Sequence, residues 1–364
     1  MAQKIRRFAV LTGGGDCPGL NAVISAVVKT FLQNGCEIYG VHNGFNGLVN
    51  DNLKLMDYAS VSGILPRGGT ILGTTNRDNP FKFAVEEDGE LVYKDMRDKV
   101  LENLRKYDIE ALVVIGGDGS LNIGAQLARE CGVKVVGVPK TIDNDLPCTE
   151  RTFGFDTAMA MATEAVDRLH TTAESHHRVM ALEVMGRYAG WIALHSGIAG
   201  GADVILLPEI PYGLDSVIAK IEARKAAGKN FSIIVVAEGA KPLGGELTVA
   251  RVVEGSFEPI RLGGVGEKLV RAIEERTGIE SRCTVLGYLQ RGGSPSAYDR
   301  VLSTRYGVAA AEACLRGEYN VMVSLYHDQI VTVYIQRAAS DARKVPVDSE
   351  IIRTGRQIGI CFGD

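Results

Sequence analysis

The chain has few aromatic residues, no excess of positive charge and no long hydrophobic run. Aromatic residues make up 6% of its 364 positions, and 40 Lys and Arg face 44 Asp and Glu, for a net charge of −4. A nucleic-acid-binding surface needs a basic excess to neutralise phosphates, so we expect no nucleic-acid partner. No segment reaches about 18 consecutive apolar residues, so we also expect no membrane span.

Cysteine is present but shows no pairing pattern. The seven cysteines are odd in number, scattered, and include no Cys-x-x-Cys pair. This pattern is typical of reduced thiols in a cytoplasmic enzyme. The first residues lead directly into a strand-like run without the apolar stretch of a signal peptide, so we expect a cytoplasmic location.

Glycine, in contrast, is abundant. Its 43 residues predict many tight turns and close approaches of backbone to ligand. Apolar residues at 46% and charged residues at 23% fit a globular protein. The length exceeds what one small core needs, so we predict two domains within one subunit.

Short apolar runs of β type alternate with helical stretches. This alternation predicts an α/β fold, in which consecutive parallel strands tend to be neighbours and the loops after them converge on one crevice. The runs are residues 8–11, 111–115, 133–138, 179–184, 204–207, 231–237 and 321–325.

Three consecutive glycines, Gly13 to Gly15, follow the first run. Apolar spacing predicts a helix from Leu20 that ends near Asn34, and a helix N-terminus favours a bound anion. Pro18 stands where a dinucleotide fingerprint has its third glycine, and no Lys-Ser/Thr pair completes a Walker loop. The loop is therefore either a phosphate site of another kind or a purely structural turn.

Asp118 lies between glycines in the loop after the second run. Mg²⁺ prefers one or two carboxylates together with phosphate oxygens and water, which makes Asp118 a candidate metal ligand. The alternative is an Asp that caps the helix beginning near Ser120.

Lys140 precedes a turn that contains two carboxylates, Asp143 and Asp145. One carboxylate can accept a proton from an attacking hydroxyl, the second can orient it or contact metal, and Lys140 can stabilise charge on a transferred phosphoryl group. The alternative is a surface Asx-type turn. Further along, lone arginines near strand-end glycines suit a sugar phosphate, although each could equally be a solvated surface residue.

At these motifs the chain resembles the phosphofructokinase family. The resemblance implies two Rossmann-like three-layer α/β domains with mostly parallel sheets. We predict a phosphate-donor domain at 1–153 plus 284–318 and a fructose 6-phosphate domain at 154–283 plus 319–364. The matching stretches are 13–21, 66–70, 116–120, 141–145, 185–187 and 286–295.

The resemblance also implies transfer of a phosphoryl group from ATP to the 1-hydroxyl of fructose 6-phosphate, a step of glycolysis that yields fructose 1,6-bisphosphate and ADP. By match to the family motif, Asp143 is the base and Asp118 binds Mg²⁺. Catalytic roles are implied for Asp143, Lys140, Thr141 and Arg187; donor binding for Gly15, Arg77, Gly117, Asp118, Gly119 and Ser120; and sugar-phosphate binding for Thr141, Asp143, Arg178, Met185, Gly186, Arg187, Glu238, Arg282, Tyr288 and Arg291.

Two positions bear on whether ATP or pyrophosphate is the phosphoryl donor. Family members that use pyrophosphate typically carry Asp at the position of Gly119 and Lys at that of Lys140, whereas the best-known bacterial ATP enzymes carry Gly at both. This chain is mixed: the missing side chain at 119 removes a steric block, and Lys140 adds a phosphate contact without excluding ATP. We therefore expect ATP, with a pyrophosphate-dependent reversible enzyme as the alternative.

Two other functions are less favoured. A non-catalytic sugar-phosphate-binding paralogue is disfavoured because Asp118, Asp143 and Arg187 are intact. A nicotinamide oxidoreductase is disfavoured by the failed dinucleotide fingerprint.

The resemblance further implies a homodimer or homotetramer, since Arg178 and Arg282 reach the site from a neighbouring subunit. Where bacterial allosteric enzymes place effector-phosphate arginines, this chain has Ser25, Lys29 and His170. Losing these bidentate donors should weaken binding of ADP or phosphoenolpyruvate.

Overall fold

The computed structural model describes residues 5–87, 89–252, 260–338 and 341–364. The strands in these ranges are β1 Arg7–Thr12, β2 Glu37–Val41, β3 Leu53–Met56, β4 Phe83–Glu87, β5 Glu90–Lys94, β6 Ala111–Gly116, β7 Val135–Pro139, β8 Val179–Val184, β9 Val204–Leu206, β10 Ser232–Ala237, β11 Val249–Val252, β12 Ile260–Leu262, β13 Ser281–Val285, β14 Val321–Tyr326 and β15 Gln329–Tyr334. The helices are α1 Leu20–Gln33, α2 Phe45–Val49, α3 Arg97–Lys106, α4 Asp118–Cys131, α5 Phe155–His176, α6 Trp191–Ala199, α7 Leu214–Ala226, α8 Val265–Thr277, α9 Ala297–Arg316, α10 Ile335–Ala338 and α11 Glu350–Gln357, with a 3₁₀ helix at Gly287–Arg291.

The larger sheet has seven strands in the order β15-β14-β7-β6-β1-β2-β3. Its five inner strands run parallel, and β3 and β15 pair antiparallel at the two edges. Helices α1 and α9 pack on one face and α3 and α4 on the other. Because both faces are covered, β1, β6 and β7 are almost entirely apolar and buried.

The second sheet has four parallel strands in the order β13-β8-β10-β9. Helices α7 and α8 pack on one face. On the other face, α5 and α6 share a continuous hydrophobic core with α1 and α9 of the larger sheet. This shared core fixes the two sheets relative to one another.

The predicted α/β class and the seven predicted strands are confirmed, and α1 begins and ends where the apolar spacing indicated. In the described ranges no helix is long and apolar enough to cross a bilayer. All seven cysteines are free thiols.

One part of the predicted domain division differs from the structure. We assigned 319–364 to the second unit, but β14 pairs with β7 in the larger sheet, Val321 opposite Val136. Pairing with β14 satisfies the backbone hydrogen-bonding groups on the outer side of β7. The position of 319–364 in the chain does not by itself predict this pairing. The last residues do return to the second sheet, where Ile205 donates a backbone hydrogen bond to Cys361. The exact boundaries stay a prediction.

Candidate active site

Three loops leave the carboxyl ends of the neighbouring strands β1, β6 and β7 and lie at one edge of the larger sheet. Backbone hydrogen bonds join them: Gly13 N–H donates to Ile115 O at 2.9 Å, and Lys140 N–H donates to Gly116 O at 3.0 Å. The glycine loop, the Asp118 loop and the turn at 140–145 therefore form one surface, as expected at the carboxyl edge of a parallel sheet.

Lys140 points from the third loop to the first. Its side chain is only 5% exposed, and its Nζ donates a hydrogen bond to Gly15 O at 2.5 Å. Burial lowers the pKa of this ammonium group, while the carboxylates of Asp118 and Asp16 act in the opposite direction. The side-chain nitrogen of Lys140 therefore lies directly behind the glycine loop, where it can contact a phosphate.

The first loop packs closely against Ser120 and Arg291. A Cβ at Gly13 would lie 2.4 Å from Ser120 Oγ, and one at Gly15 would lie 2.5 Å from a terminal nitrogen of Arg291. Ser120 belongs to the first turn of α4, and Arg291 ends the 3₁₀ helix that follows the second sheet. The glycine loop is therefore in close contact with residues that follow strands of both sheets.

Helix α4 begins at Asp118, with Gly117 at its N-cap and no side chain accepting from its first turn. The alternative in which Asp118 caps this helix is therefore wrong, because Asp118 is already the first helical residue. An uncapped helix N-terminus leaves N–H groups and the positive end of the dipole for an anion. A Cβ at Gly119 would meet nothing within 4 Å, so the space beside this residue is open.

The turn that carries Asp143 is anchored rather than free on the surface. Ile142 and Asn144 are buried, and Asn144 Oδ1 accepts a hydrogen bond from Thr152 N–H at 3.0 Å. Thr141 Oγ1 accepts from Asp143 N–H at 3.1 Å. The alternative of a surface Asx turn is thus excluded.

Three carboxylates interact at this edge. Burial, together with the negative charges of Asp143 and Asp118, raises the pKa of Asp145 to about 7. The three groups are therefore close enough to influence one another. Sequence reasoning expected the second carboxylate of this turn to orient the hydroxyl or contact metal, whereas the family resemblance gave a role to Asp143 alone.

The residues present fit a magnesium ion that also binds phosphate. Within the described residues, no group of three or more His, Cys, Asp or Glu could hold a metal. Asp118 is exposed beside the open space at Gly119. One exposed carboxylate completed by phosphate oxygens and water is the donor set that Mg²⁺ accepts.

The second sheet contributes loops from the carboxyl ends of β8 and β10 and the 3₁₀ helix after β13. Met185 N–H donates to Gln290 Oε1 at 3.2 Å, and Gln290 is fully buried. Gly186 has a φ of 137°, which a side chain rarely tolerates. Gln290 was not assigned a role from the sequence, although it directly precedes Arg291 in the matching motif.

Glu238 lies among the charged residues of this half. Its pKa is raised to about 7, because burial and the negative charge of Glu183 outweigh the opposite effect of the guanidinium groups of Arg291 and Arg187. Since Arg291 also contacts the glycine loop, it connects the carboxylate of Glu238 with the phosphate side of the site.

Four predicted residues lie at the margin of this cluster or away from it. Arg77 is exposed on the loop whose Thr75 O accepts from Gly14 N–H at 3.0 Å, and Tyr288 is 66% exposed. Arg282 lies near the amino end of β13, opposite Met180 and about 17 Å of strand away from Met185, and Arg178 directly precedes β8, about 23 Å from Met185, by the rise per residue.

Both distant arginines are paired at that far edge. Arg178 Nε lies 2.8 Å from Glu280 Oε2, and Arg282 Nη1 lies 3.2 Å from Glu274 Oε2. The structure does not bring them to the site of their own chain.

Comparison with known proteins adds independent information. A family model described as Phosphofructokinase matches residues 7–314. The chain is 54% identical to "ATP-dependent 6-phosphofructokinase 2" of Clostridium perfringens, covering 100% of both chains. It is 50% identical to "Pyrophosphate--fructose 6-phosphate 1-phosphotransferase" of Amycolatopsis mediterranei, covering 94% of this chain and 97% of the relative.

The fold is also similar to solved structures. A crystal structure of Pichia pastoris phosphofructokinase in the T-state superposes with a TM-score of 0.79 at 31% identity. The match covers 93% of this chain but only 36% of that longer chain.

Proposed function

Because this chain belongs to the phosphofructokinase family, we propose that it transfers the terminal phosphoryl group of ATP to the 1-hydroxyl of fructose 6-phosphate. The observation that carries the proposal is the joining of two loop clusters. Lys140 and the carboxylates of Asp118, Asp143 and Asp145 lie on one side, and Arg187, Glu238 and Arg291 lie on the other.

The donor phosphates bind along the glycine loop and the N-terminus of α4. Gly15, Gly117, Gly119 and Ser120 let the phosphates approach the backbone, and Arg77 contacts the nucleotide from the adjacent loop. Support comes from the uncapped first turn of α4 and from the cation of Lys140 behind Gly15. Asp118 holds Mg²⁺, which when bound neutralises charge on the donor phosphates.

The acceptor hydroxyl is activated at the catalytic turn. Asp143 accepts its proton, Thr141 contacts the sugar, and Lys140 stabilises charge on the transferring phosphoryl group. Phosphoryl transfer requires mainly positioning and electrostatic stabilisation. The anchoring of the turn through Ile142 and Asn144 supplies the required rigidity.

The sugar phosphate binds to the second cluster. Met185, Gly186, Arg187, Glu238, Tyr288 and Arg291 contact it within one subunit. Arg178 and Arg282 complete the site from a neighbouring subunit of a homodimer or homotetramer. In support, both arginines lie at the opposite end of their strands from the site of their own chain.

ATP is the proposed donor rather than pyrophosphate, although relatives named for either donor cover nearly the whole chain. The open space beside Gly119 favours the larger donor, since a nucleotide extends past the terminal phosphates. The pyrophosphate enzyme remains the second candidate because Lys140 can serve either donor.

A coupled assay for fructose 1,6-bisphosphate, with ATP or pyrophosphate supplied at equal concentration, tests the proposal. We expect turnover with ATP to exceed turnover with pyrophosphate by at least tenfold. Faster turnover with pyrophosphate would reassign the donor, and absence of product with both would refute phosphofructokinase activity altogether.

A further inference from the structure

A residue near the end of the chain holds the catalytic turn. The backbone N–H of Arg343 donates to Asp145 O at 2.6 Å, and its guanidinium Nη2 donates to Asn144 O at 2.8 Å. Two consecutive carbonyl groups of the turn are therefore bound by one residue that lies 199 positions from Asn144 in sequence.

The same residue is fixed on its other side by the second loop cluster. The guanidinium of Arg343 lies over the Trp191 ring, 4.6 Å from its centroid, and Trp191 Nε1 donates to Arg343 O at 2.9 Å. Trp191 is the first residue of α6, directly after the loop that carries Met185 to Gly190. The contact with the indole ring and the hydrogen bond to Asn144 O together hold the guanidinium group, while the Trp191 hydrogen bond holds the backbone of Arg343.

A third contact continues this connection two residues further along. The carboxylate of Glu209 accepts from Gly190 N–H at 3.0 Å and from Val345 N–H at 2.8 Å. Residues 343–345 thus bind the catalytic turn of the larger sheet and the end of the substrate loop of the second sheet. We call these three residues the C-terminal clasp.

We propose, on the premise of the function above, that Arg343 is a positioning residue for phosphoryl transfer. It keeps the turn that carries Asp143 in place relative to the loop that carries Arg187. The base Asp143 and the sugar-phosphate ligand Arg187 belong to loops of different sheets. The angle at which the hydroxyl attacks the phosphoryl group therefore depends on the contacts that join these two loops. A misplacement of about 1 Å far from the reacting atoms can lower the rate about 100-fold.

Arg343 is half-buried among both positive and negative side chains. Burial and the nearby Arg151 guanidinium lower its pKa, and the carboxylates of Asp145 and Glu150 act in the opposite direction. An arginine stays protonated even when buried, and its planar fork can bind a carbonyl while stacking on an indole. Lysine can supply the charge and one hydrogen bond, but not the stacked plane.

The test compares Arg343→Ala and Arg343→Lys with Arg353→Ala, an exposed arginine of α11. We expect kcat to fall at least tenfold in Arg343→Ala while KM for ATP changes less than threefold, because the glycine loop is not part of the clasp. Arg343→Lys should recover part of the lost kcat. Free guanidinium ion at millimolar concentration should partly rescue the alanine variant but not the lysine variant, and Arg353→Ala should match the wild type.

Tryptophan fluorescence supplies a readout that does not depend on activity. Trp191 is the single tryptophan of the chain, so its quenching by acrylamide should rise in Arg343→Ala and stay at the wild-type level in Arg353→Ala. A thermal melt identifies any general loss of folded protein.

The outcomes separate the clasp from the function on which it rests. A kcat of Arg343→Ala within twofold of the wild type overturns the positioning role while leaving the activity intact. So does a loss of kcat that parallels loss of folded protein and is not recovered by lysine or guanidinium. A wild-type chain without turnover refutes the proposed function and the clasp's catalytic role together.

Discussion

The ammonium nitrogen of Lys140 and the carbonyl oxygen of Gly15 lie 2.5 Å apart, joining two loops separated by 125 residues. This hydrogen bond directs the lysine toward the back of the glycine loop. The side chain therefore does not fill the open space beside Gly119, and its presence leaves room for a nucleotide. Choice of donor then depends on position 119.

Gly119→Asp should shift donor preference. The new carboxylate would extend into the open space at the N-terminus of α4 and repel the phosphates of ATP, so we expect kcat/KM for ATP to fall about 100-fold or more. Activity with pyrophosphate should fall less. Steady-state kinetics with both donors measures the ratio.

Gly119→Ala is the matched control. Its methyl group carries no charge and meets no protein atom within 4 Å, so activity with ATP should fall much less than in Gly119→Asp. Replacing a helical glycine should also stabilise α4 by up to about 1 kcal/mol. Equal losses with ATP in the two variants would show that the charge at 119 does not select the donor.

Glu238→Gln should raise thermal stability above neutral pH. The pKa of Glu238 is raised from 4.5 to about 7 in the folded chain, so the folded state retains a proton that the unfolded state loses between these values. The free energy of unfolding therefore falls as pH rises through this window, and the penalty is fully present above pH 7.

The amide of Glu238→Gln removes that penalty, which is at most about 3 kcal/mol for a shift of this size. Its Tm should exceed that of the wild type at pH 8, and the difference should shrink toward pH 5. Glu222→Gln, at an exposed position of α7, should show no such trend. A Tm difference for Glu238→Gln that does not vary with pH would contradict the assigned titration.

Hybrid oligomers test the shared site. Subunits with Asp143→Ser lack the proposed base, and subunits with Arg282→Ala lack the arginine proposed to serve the neighbour. After unfolding and refolding the two inactive variants together, sites with an intact Asp143 can receive Arg282 from the other variant. Activity should then exceed that of either variant alone. Failure to recover activity, with oligomers of normal size, would place Arg282 outside the neighbour's site.

Effector response should be weak. Ser25 is buried in α1, and the Nε2 atom of His170 is hydrogen bonded to Gly200 O at 2.7 Å. Neither offers the paired donors that bind a phosphate firmly. Saturation curves for fructose 6-phosphate should stay hyperbolic with phosphoenolpyruvate or ADP added, and a strong sigmoidal shift with phosphoenolpyruvate would contradict this.

The sequence predicts those parts of the fold that local pattern determines. The buried parallel strands are continuous apolar runs, and α1 shows helical spacing from Leu20. The edge strands β3 and β15 escaped prediction because they carry exposed and polar side chains, and β2, next to the β3 edge, escaped it because its short run begins with Glu37 and contains Gly40. The pairing of β14 with β7 could not be predicted either, since 181 residues separate the C-terminus of β7 from the first residue of β14.

The candidate site divides in the same way. Asp118, Asp143 and Arg187 follow buried strands and belong to short motifs, so their positions at the carboxyl ends of strands can be predicted from the sequence. Gln290 and Arg343 act through backbone carbonyl and amide groups of distant loops. Such contacts produce no periodic pattern or motif spacing in the sequence, so only the three-dimensional structure reveals them.

Asp143→Ser tests the central claim most directly, with Asp215→Asn, at an exposed position of α7, as the control. If Asp143 accepts the hydroxyl proton, kcat with ATP and fructose 6-phosphate should fall at least about 100-fold, a typical general-base contribution. KM for ATP should change little, and the control should keep full activity. A serine variant that turns over at near the wild-type rate would contradict the account.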